Sequence, residues 1–430
     1  MKKVFLCVMF IVLSLVVACE ANTLPSRYDL RDYGRITSVK NQDKLAVCEI
    51  FAVFGAMESN YLTQELDTAG KVPDFSEMHL IYYGSGYADL KTEQIFTTKY
   101  SSTLFAITAF CSRLAGPALE KDMKYTSKIN KIPKSAAKKI PEDYKIPIRL
   151  RDAYFLSMST DLDDDDVRKK LIMEHGAIVV GFYSDLKKYH NAGKYCTYFN
   201  DKEYISHYAL LAGWNDDFSR DNFNPKPSKN GAWLVKNSWG TDWGDKGYFW
   251  MSYEQPLHRG TAFIVEKFNP NLRHYGYDDL GWCRAANCSW GANVFKIRED
   301  KEFLKEVAFY TTVNDVNYEI FVYDLGVEVP NNPVSKNLVA KFNGNIELAG
   351  YHTINLPKEI PIKQGEYFSI VLKTSNGKIP IEMKLKKYSE NAVTHEKESY
   401  FSEDGLKWED GIGVSGGSNA CIKAFTILKP

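Results

Sequence analysis

The feature that most constrains the fold of this 430-residue chain is the distance along it between three reactive side chains. Cys48 lies in QDKLAVCEIFA at residues 42–52, His207 in SHYALLAG at 206–213, and Asn237 in VKNSWG at 235–240. A thiol, an imidazole and an amide in this order, with Gln42 upstream of the thiol, are the groups that acyl transfer by a thiol requires. We therefore interpret the three segments as parts of one catalytic site that the fold has to assemble.

The sequence around Cys48 favours a reactive thiol. A free thiol has a pKa of about 8.5, and a helix N-terminus or an imidazolium nearby lowers it. Residues 48–65 contain no proline and repeat Phe51, Phe54 and Tyr61 near helical spacing. This pattern predicts a largely buried helix that begins at Cys48 and directs its dipole at the sulfur.

The other three groups have complementary roles in this chemistry. His207 is predicted to act as general base and acid, while Asn237 accepts a hydrogen bond from its ring N–H and orients it. The side chain of Gln42 and the backbone N–H of Cys48 are predicted to bind the oxyanion.

Several segments resemble the papain-like cysteine proteases: LPSRYDLR at 24–31, VKNQ at 39–42, FSEMHL at 75–80 and NSWGTDWGDKGYFW at 237–250. The resemblance implies an α+β fold for a peptidase domain at residues 24–268. Its left lobe, about 24–140, would be helical, and its right lobe, about 141–268, would be an antiparallel β-barrel. It also implies hydrolysis of peptide bonds through a Cys48 thioester, with Trp239 in a supporting role.

The chain departs from the family pattern beside the nucleophile, where it reads Leu45, Ala46 and Glu49. Glu49 replaces an aromatic residue, and a carboxylate facing the sulfur would disfavour the thiolate. The same side chain also suits a helix N-terminus, where it would only cap. Both interpretations of Glu49 stay open from the sequence.

The family's pocket for the second acyl-side substrate residue differs as well. Tyr208 stands where the family usually has an alanine, and Gly181, at the end of AIVVG, offers compensating space in another wall. Ser102, with Ser101, aligns with the family's glycine pair. We expect a reshaped pocket, and Tyr208, Gly181 and Ser102 are its predicted lining.

The region after residue 268 has a different character. It contains runs in which apolar and polar residues alternate, separated by turns of Asn, Gly and Pro. This pattern predicts a β-sandwich. Residues 272–430 resemble the lectin-like domain that follows the protease in some bacterial members of the family. Trp290 and Trp408 either stack on sugar rings or belong to the sandwich core, and burial preferences favour the core.

The N-terminus predicts export. Lys2 and Lys3 precede an uncharged run at residues 4–18, which has the form of a secretion signal within residues 1–21. VVAC at 16–19 resembles a lipoprotein box with a lipid on Cys19, and ordinary cleavage near Ala21 is the alternative. We expect an extracellular or cell-surface protein, with membrane contact only through that lipid and no room for a long inhibitory propeptide.

Composition and spacing exclude other classes of function. The chain has 54 basic and 54 acidic residues, so no charge favours nucleic acid as a partner. The histidines show no metal-site spacing, and no cofactor is expected. The acidic run at 161–166 is interpreted as the start of a helix at 167–174, and Cys283 and Cys288 are close enough in sequence to bridge a short loop.

Two functions remain from this sequence. One is an exported cysteine endopeptidase acting on peptides or proteins. The other is a catalytically impaired papain-fold protein that binds through its cleft or through a lectin-like domain directed at carbohydrate or cell-surface material. Cys48, His207, Asn237 and Gln42 favour the enzyme, whereas Glu49, Ala46 and Tyr208 favour the second.

Overall fold

The computed structural model describes residues 24–66, 72–84, 103–128, 145–156, 165–185, 190–199, 204–386 and 388–429. The α-helices in these ranges are α1 (Cys48–Thr63), α2 (Glu77–Tyr83), α3 (Thr103–Ser112) and α4 (Asp165–His175). The strands are β1 (Arg27–Asp29), β2 (Ile148–Phe155), β3 (Ile178–Phe182), β4 (His190–Asn191), β5 (Cys196–Thr197), β6 (His207–Asn215), β7 (Ala232–Lys236), β8 (Tyr248–Ser252), β9 (His258–Lys267), β10 (Leu272–Tyr275), β11 (Arg284–Ala286), β12 (Trp290–Lys296), β13 (Glu302–Thr311), β14 (Val316–Gly326), β15 (Leu338–Ile346), β16 (Gly350–Pro361), β17 (Tyr367–Thr374), β18 (Ile379–Met383), β19 (Ser399–Ser402), β20 (Glu409–Asp410), β21 (Ser418–Ala420) and β22 (Ile422–Leu428).

Helix α1 forms the centre of the N-terminal lobe and begins at Cys48, as the sequence predicts. Its residues from Glu49 to Asn60 are all buried, because the helix is apolar nearly all round and packs against α2, α3, β6 and β9. The polar side chains on it therefore need partners within the protein.

The right lobe is built from neighbouring strands of one large sheet, in the order β2, β9, β3, β6, β7 and β8. These neighbours pair antiparallel, and each of β3, β6 and β7 is almost continuously apolar. The pairing of β6 with β7 aligns Leu210 with Lys236 and Leu211 with Val235. This register brings the start of β6 close to the end of β7.

The C-terminal region is all β, as predicted. One sheet has the order β15, β14, β17, β12, β19 and β20, and a smaller one has the order β11, β18 and β21. Strands β10, β22, β13 and β16 continue the large sheet and form a further layer. Aromatic rings such as Phe295, Phe309 and Phe368 fill the core between the layers.

The large sheet is continuous from the papain-like lobe into the C-terminal region, because β16 pairs with β2. At this junction Gly350 lies opposite Tyr154, and a Cβ on Gly350 would come within 1.9 Å of the backbone oxygen of Ala153. Only glycine allows the two backbones to approach this closely.

A buried ion pair also connects the two regions. The Arg149 guanidinium, on β2, is 1% exposed and lies 2.6 Å from a carboxylate oxygen of Glu306, on β13, which is equally buried. Arg149 also pairs with the half-buried Glu266 on β9. The two regions also meet where Trp282 stacks on Phe105 of α3, with ring centroids 4.7 Å apart.

In the part of the chain that the structure describes, Cys48, Cys111, Cys196, Cys283, Cys288 and Cys421 are all free thiols. Cys283 and Cys288 therefore do not form the bridge that their spacing allows. None of the helices in the described ranges is long and apolar enough to cross a membrane.

We predict that Arg149→Met destabilises the protein by up to about 3 kcal/mol, because it leaves the buried Glu306 carboxylate with only the partly exposed Lys305, 3.0 Å away, as its ionic partner. The double variant Arg149→Met/Glu306→Leu should recover most of this loss, since an apolar pair needs no ionic partner. Urea unfolding of both variants measures the difference. A single variant as stable as the double variant would contradict the assignment of this ion pair.

Candidate active site

The fold places His207 and Asn237 against each other. His207 is the first residue of β6 and Asn237 directly follows β7, and the register of these strands brings imidazole Nε2 within 2.9 Å of the Asn237 side-chain oxygen Oδ1. The backbone N–H of Ser238 also donates to that oxygen, at 2.8 Å. Because Oδ1 is thereby fixed as an acceptor, Nε2 carries the ring proton and Nδ1 is the basic atom.

Two aromatic rings enclose the imidazole of His207. Trp239 lies 4.6 Å from it, centroid to centroid, and Phe182 contacts it edge-on at 5.6 Å. The side chain is only 5% exposed, and this burial lowers the pKa of His207 to about 4, although the hydrogen bond with Asn237 opposes the shift. The ring is therefore neutral at pH 7.

Cys48 lies at the N-terminus of α1 and is partly exposed. The backbone N–H of Tyr208, the residue after His207, donates a hydrogen bond to the sulfur of Cys48 and favours its ionised form, so the thiol lies where α1 meets the start of β6. Burial is nevertheless the largest influence and raises the pKa of the Cys48 thiol, and the charge of Glu49 raises it further.

Glu49 faces the sulfur. Its carboxylate oxygen Oε2 lies 3.7 Å from the Cys48 sulfur, and its other oxygen has no hydrogen-bond partner within the described part of the chain. The residue is fully buried, which raises the pKa of this carboxyl to about 8. Of the two interpretations that the sequence left open, the structure supports the one in which the carboxyl contacts the thiol.

Gln42 ties the left lobe to the asparagine segment. Its side-chain oxygen accepts a hydrogen bond from the Ser238 hydroxyl at 2.6 Å, and its backbone N–H donates to the Ser238 carbonyl at 2.8 Å. The side-chain NH₂ donates to the Leu45 carbonyl at 2.8 Å. An amide NH₂ has two hydrogens, so one donor remains for a further acceptor.

Tyr208 and Gly181 pair across β6 and β3. A Cβ on Gly181 would lie 3.0 Å from the Tyr208 ring and 2.9 Å from the side chain of Ile205. The tyrosine, 7% exposed, therefore fills the space that the glycine leaves. Ser102, the third predicted lining residue, lies outside the described residues.

A buried cluster of charges behind the site was not predicted. The Lys40 ammonium lies 3.0 Å from both Glu58 and Glu77, on α1 and α2. Lys236, directly before Asn237, donates to the Thr37 hydroxyl, which in turn donates to Glu58. Burial lowers the pKa of Lys236 to about 8. The sequence feature that could have indicated this cluster is the lysine at the end of the apolar strand AWLVK.

The site has no metal-binding character in the ranges that the structure covers, where no group of three His, Cys, Asp or Glu side chains is arranged to hold an ion. Its chemistry is that of a thiol, an imidazole oriented by an amide, and N–H donors at a helix start.

This combination of fold and site is that of the papain family. The profile of the papain family cysteine proteases matches residues 24–263, and that of the lectin like domain matches residues 274–426. The chain therefore belongs to the papain family of cysteine proteases and carries a lectin-like domain.

Individual relatives agree with this assignment. The probable cysteine protease RD19D of Arabidopsis thaliana is 28% identical over 233 residues, which cover 54% of this chain and 58% of that protein. Cathepsin L of Sarcophaga peregrina is 25% identical over 250 residues, 56% of this chain and 62% of its own length. The chain thus spans less than two thirds of the curated relatives that it matches.

Solved structures match more of the chain. The clostridial cysteine protease Cwp84 after propeptide cleavage is 25% identical, covers 94% of this chain and 100% of its own, and has a TM-score of 0.79. The structure of the cysteine protease and lectin-like domains of Cwp84, a surface layer associated protein of Clostridium difficile, is 26% identical with a TM-score of 0.76, over 94% of this chain and 89% of its own.

We predict that Glu49→Gln lowers the apparent pKa of the Cys48 thiol, because it removes the negative charge beside the sulfur and keeps the side chain's shape. The effect should be on the order of tenfold in alkylation rate above pH 8, where the carboxyl of Glu49 is ionised. Alkylation at Cys48, followed by mass spectrometry over a range of pH, measures it.

Glu65→Gln is the matched control for this measurement. It makes the same change of charge just beyond the other end of α1, where the side chain is exposed. A rate–pH curve that is the same for Glu49→Gln as for the control would mean that the carboxyl does not influence the thiol.

Proposed function

We propose that the chain is an exported cysteine endopeptidase that hydrolyses peptide bonds through a thioester on Cys48. The observation that carries the proposal is the buried pair of His207 and Asn237, with imidazole Nε2 2.9 Å from the amide oxygen. The next residue, Tyr208, contacts the Cys48 sulfur at the N-terminus of α1 through its backbone N–H. An imidazole whose Nε2 proton is held by an amide presents Nδ1 as a base, which is what a thiol nucleophile needs.

In the proposed reaction, Nδ1 of His207 takes the thiol proton as the Cys48 sulfur attacks the substrate carbonyl carbon. The free Gln42 N–H and the Cys48 backbone N–H bind the oxyanion that forms. The imidazolium then gives its proton to the leaving amine, and the acyl group remains on sulfur as a thioester. Water, deprotonated by Nδ1, attacks the thioester and releases the acid and the thiol.

The electrostatics of the site favour a particular order of events. Burial lowers the pKa of His207 and raises that of Cys48, so the resting pair is a neutral thiol and a neutral imidazole. The proton would then move as the sulfur attacks, because a separated ion pair is costly in this buried site until the oxyanion forms.

We further propose that the peptidase domain occupies residues 24–268 and the lectin-like domain 272–430, and that the protein acts outside the cell or at its surface. The division is supported by the end of β9 at Lys267 and the start of β10 at Leu272. Export is supported by the signal-like sequence at residues 1–21, and a surface location by the description of Cwp84 as surface-layer associated.

In this proposal the lectin-like domain binds carbohydrate or other cell-surface material and holds the enzyme there. Lipid attachment at Cys19 and ordinary cleavage near Ala21 remain alternative ways to process the signal, and mass analysis of the mature N-terminus distinguishes them.

One observation favours a second function, that of a papain-fold binding protein with impaired turnover. The carboxyl of Glu49 contacts the sulfur at 3.7 Å, and an ionised form would oppose the thiolate. Intact-mass analysis after treatment with an epoxide thiol trap separates the two functions, because only a thiolate that a base can generate reacts at Cys48.

We predict that Cys48→Ala lowers peptide hydrolysis by more than about 1,000-fold and abolishes labelling by the trap, since it removes the nucleophile. Cys283→Ala, which removes another partly exposed thiol far along the chain, is the matched control and should retain activity. Hydrolysis that survives in Cys48→Ala would show that the nucleophile lies elsewhere.

We also predict that Tyr208 restricts the pocket for the second acyl-side residue. Peptides with alanine, glycine or proline there should be cut faster than those with leucine or phenylalanine, because a large side chain would overlap the phenol. In Tyr208→Ala the order should reverse, and peptides with leucine or phenylalanine should be cut about tenfold or more faster than those with alanine, glycine or proline. A peptide-library profile of both proteins measures this.

Tyr33→Ala is the control for this prediction. Tyr33 is 59% exposed and stacks on Tyr28. Tyr28 belongs to β1, which pairs with the end of β6 that is farthest from His207. A preference for leucine or phenylalanine in the unmodified protein would contradict the prediction.

A further inference from the structure

The β-sandwich has a cavity of about 480 Å³ that is open to solvent and that the proposed proteolysis does not use. Its walls come from the segment between β11 and β12, which contributes Cys288, and from the hairpin between β19 and β20, which contributes Trp408. Pockets that hold small ligands usually measure about 300 to 1,000 Å³. The cavity therefore has room for one or two sugar rings.

The hairpin that forms one wall is held in a fixed conformation. The Asp404 carboxylate accepts hydrogen bonds from the backbone N–H groups of Leu406 and Lys407, at 2.8 and 2.9 Å, and from the Ser402 hydroxyl at 3.2 Å. The backbone N–H of Gly405 in turn donates to the Ser402 hydroxyl. A pocket wall that is ordered in advance lowers the entropy lost on binding.

The two tryptophans of the sandwich have different environments. Trp290 packs against Phe321 and is covered by Gly405, where a Cβ would come within 2.8 Å of the indole. Trp408 lines the cavity, with its ring edge-on to Trp290 at 6.5 Å, and its indole N–H has no acceptor among the described residues. Trp290 thus supports the ring of Trp408, which lines the cavity.

The cavity is acidic. Glu403, Asp404 and Glu409 line it with a single basic residue, Lys407. Burial raises the pKa of the Cys288 thiol, and the charges of Glu403 and Glu409 raise it further. Such a cavity repels anionic ligands and attracts cationic ones.

We propose that this cavity binds a cationic amino sugar, a hexosamine unit with a free ammonium group. The indole of Trp408 packs against the apolar face of the ring, and the carboxylates accept hydrogen bonds from its hydroxyl and ammonium groups. This inference rests on the proposed surface-binding role of the lectin-like domain and assigns that role a site and a class of ligand.

A sugar fits these observations better than a basic peptide does. A lysine side chain would satisfy the charge, but it offers one ammonium group and no hydroxyl groups to the remaining carboxylates of the pocket. A hexosamine combines an apolar ring face with a rim of hydroxyl and ammonium groups, which matches an indole beside three carboxylates.

The test measures binding of glucosamine oligosaccharides to the intact chain by tryptophan fluorescence and calorimetry. We expect binding that weakens about tenfold in Trp408→Ala, because the aromatic contact is lost. It should weaken about fivefold when the ligand is fully N-acetylated or when Glu403→Gln removes a charge. Leu406→Ala, a change at an 80% exposed residue of the same hairpin that does not line the cavity, should bind normally.

The free thiol of Cys288 gives a second, local measurement. Because Cys288 lines the cavity, the bound oligosaccharide should slow its alkylation, and site-resolved mass spectrometry distinguishes it from Cys48. Unchanged alkylation at saturating ligand would place the ligand elsewhere and overturn the proposal.

The remaining outcomes also separate the proposals. Equal affinity for N-acetylated and free-amine oligosaccharides would overturn the assignment of a cationic ligand, and tighter binding of oligolysine would favour a peptide. If the intact chain binds isolated cell-surface glycan and Trp408→Ala binds it equally well, the assignment of binding to this cavity is wrong, while the surface-binding role stands. If neither binds, both proposals about the domain fail, and peptide hydrolysis remains a separate measurement.

Discussion

The register between β6 and β7 is the constraint on which the site depends. It places His207, the first residue of β6, close to Asn237, the residue that follows β7. The register thereby sets the 2.9 Å contact between their side chains. The hydrogen bonds between Gln42 and Ser238 then hold the left lobe against this pair. A shift of one residue would turn every side chain of the strand to the opposite face and separate these groups.

Burial has the largest influence on the site's protonation. It lowers the pKa of His207 to about 4 and raises those of Glu49 and Cys48, in each case against the charged form. The start of α1 and the Tyr208 N–H favour the thiolate, but these contributions are smaller than the cost of desolvation. The proposed thioester reaction would therefore form its charges as the sulfur attacks.

The C-terminal region is part of the same structural unit as the protease lobes. A shared sheet at β2 and β16, the buried pair of Arg149 and Glu306, and the stacking of Trp282 on Phe105 join the two regions at separate places. The region that contains the acidic cavity beside Trp408 is therefore joined to the papain-like lobes by direct contacts as well as by the chain. Under the proposals for this domain, a ligand bound there would hold the papain-like lobes at a surface without a flexible linker.

The sequence by itself determined the fold class, the start of α1 at Cys48 and the β-rich C-terminal region. The helix start and the strands follow from local periodicity, and the fold class follows from motifs such as NSWG and from their order along the chain. It could not decide the role of Glu49, since capping and contact with the sulfur suit the same residue one position after Cys48. Nor did it reveal the cluster of Lys40, Glu58 and Lys236, which lie far apart in the chain. Only the tertiary structure decided these points, because burial, and with it the pKa of each group, depends on what distant segments pack around it.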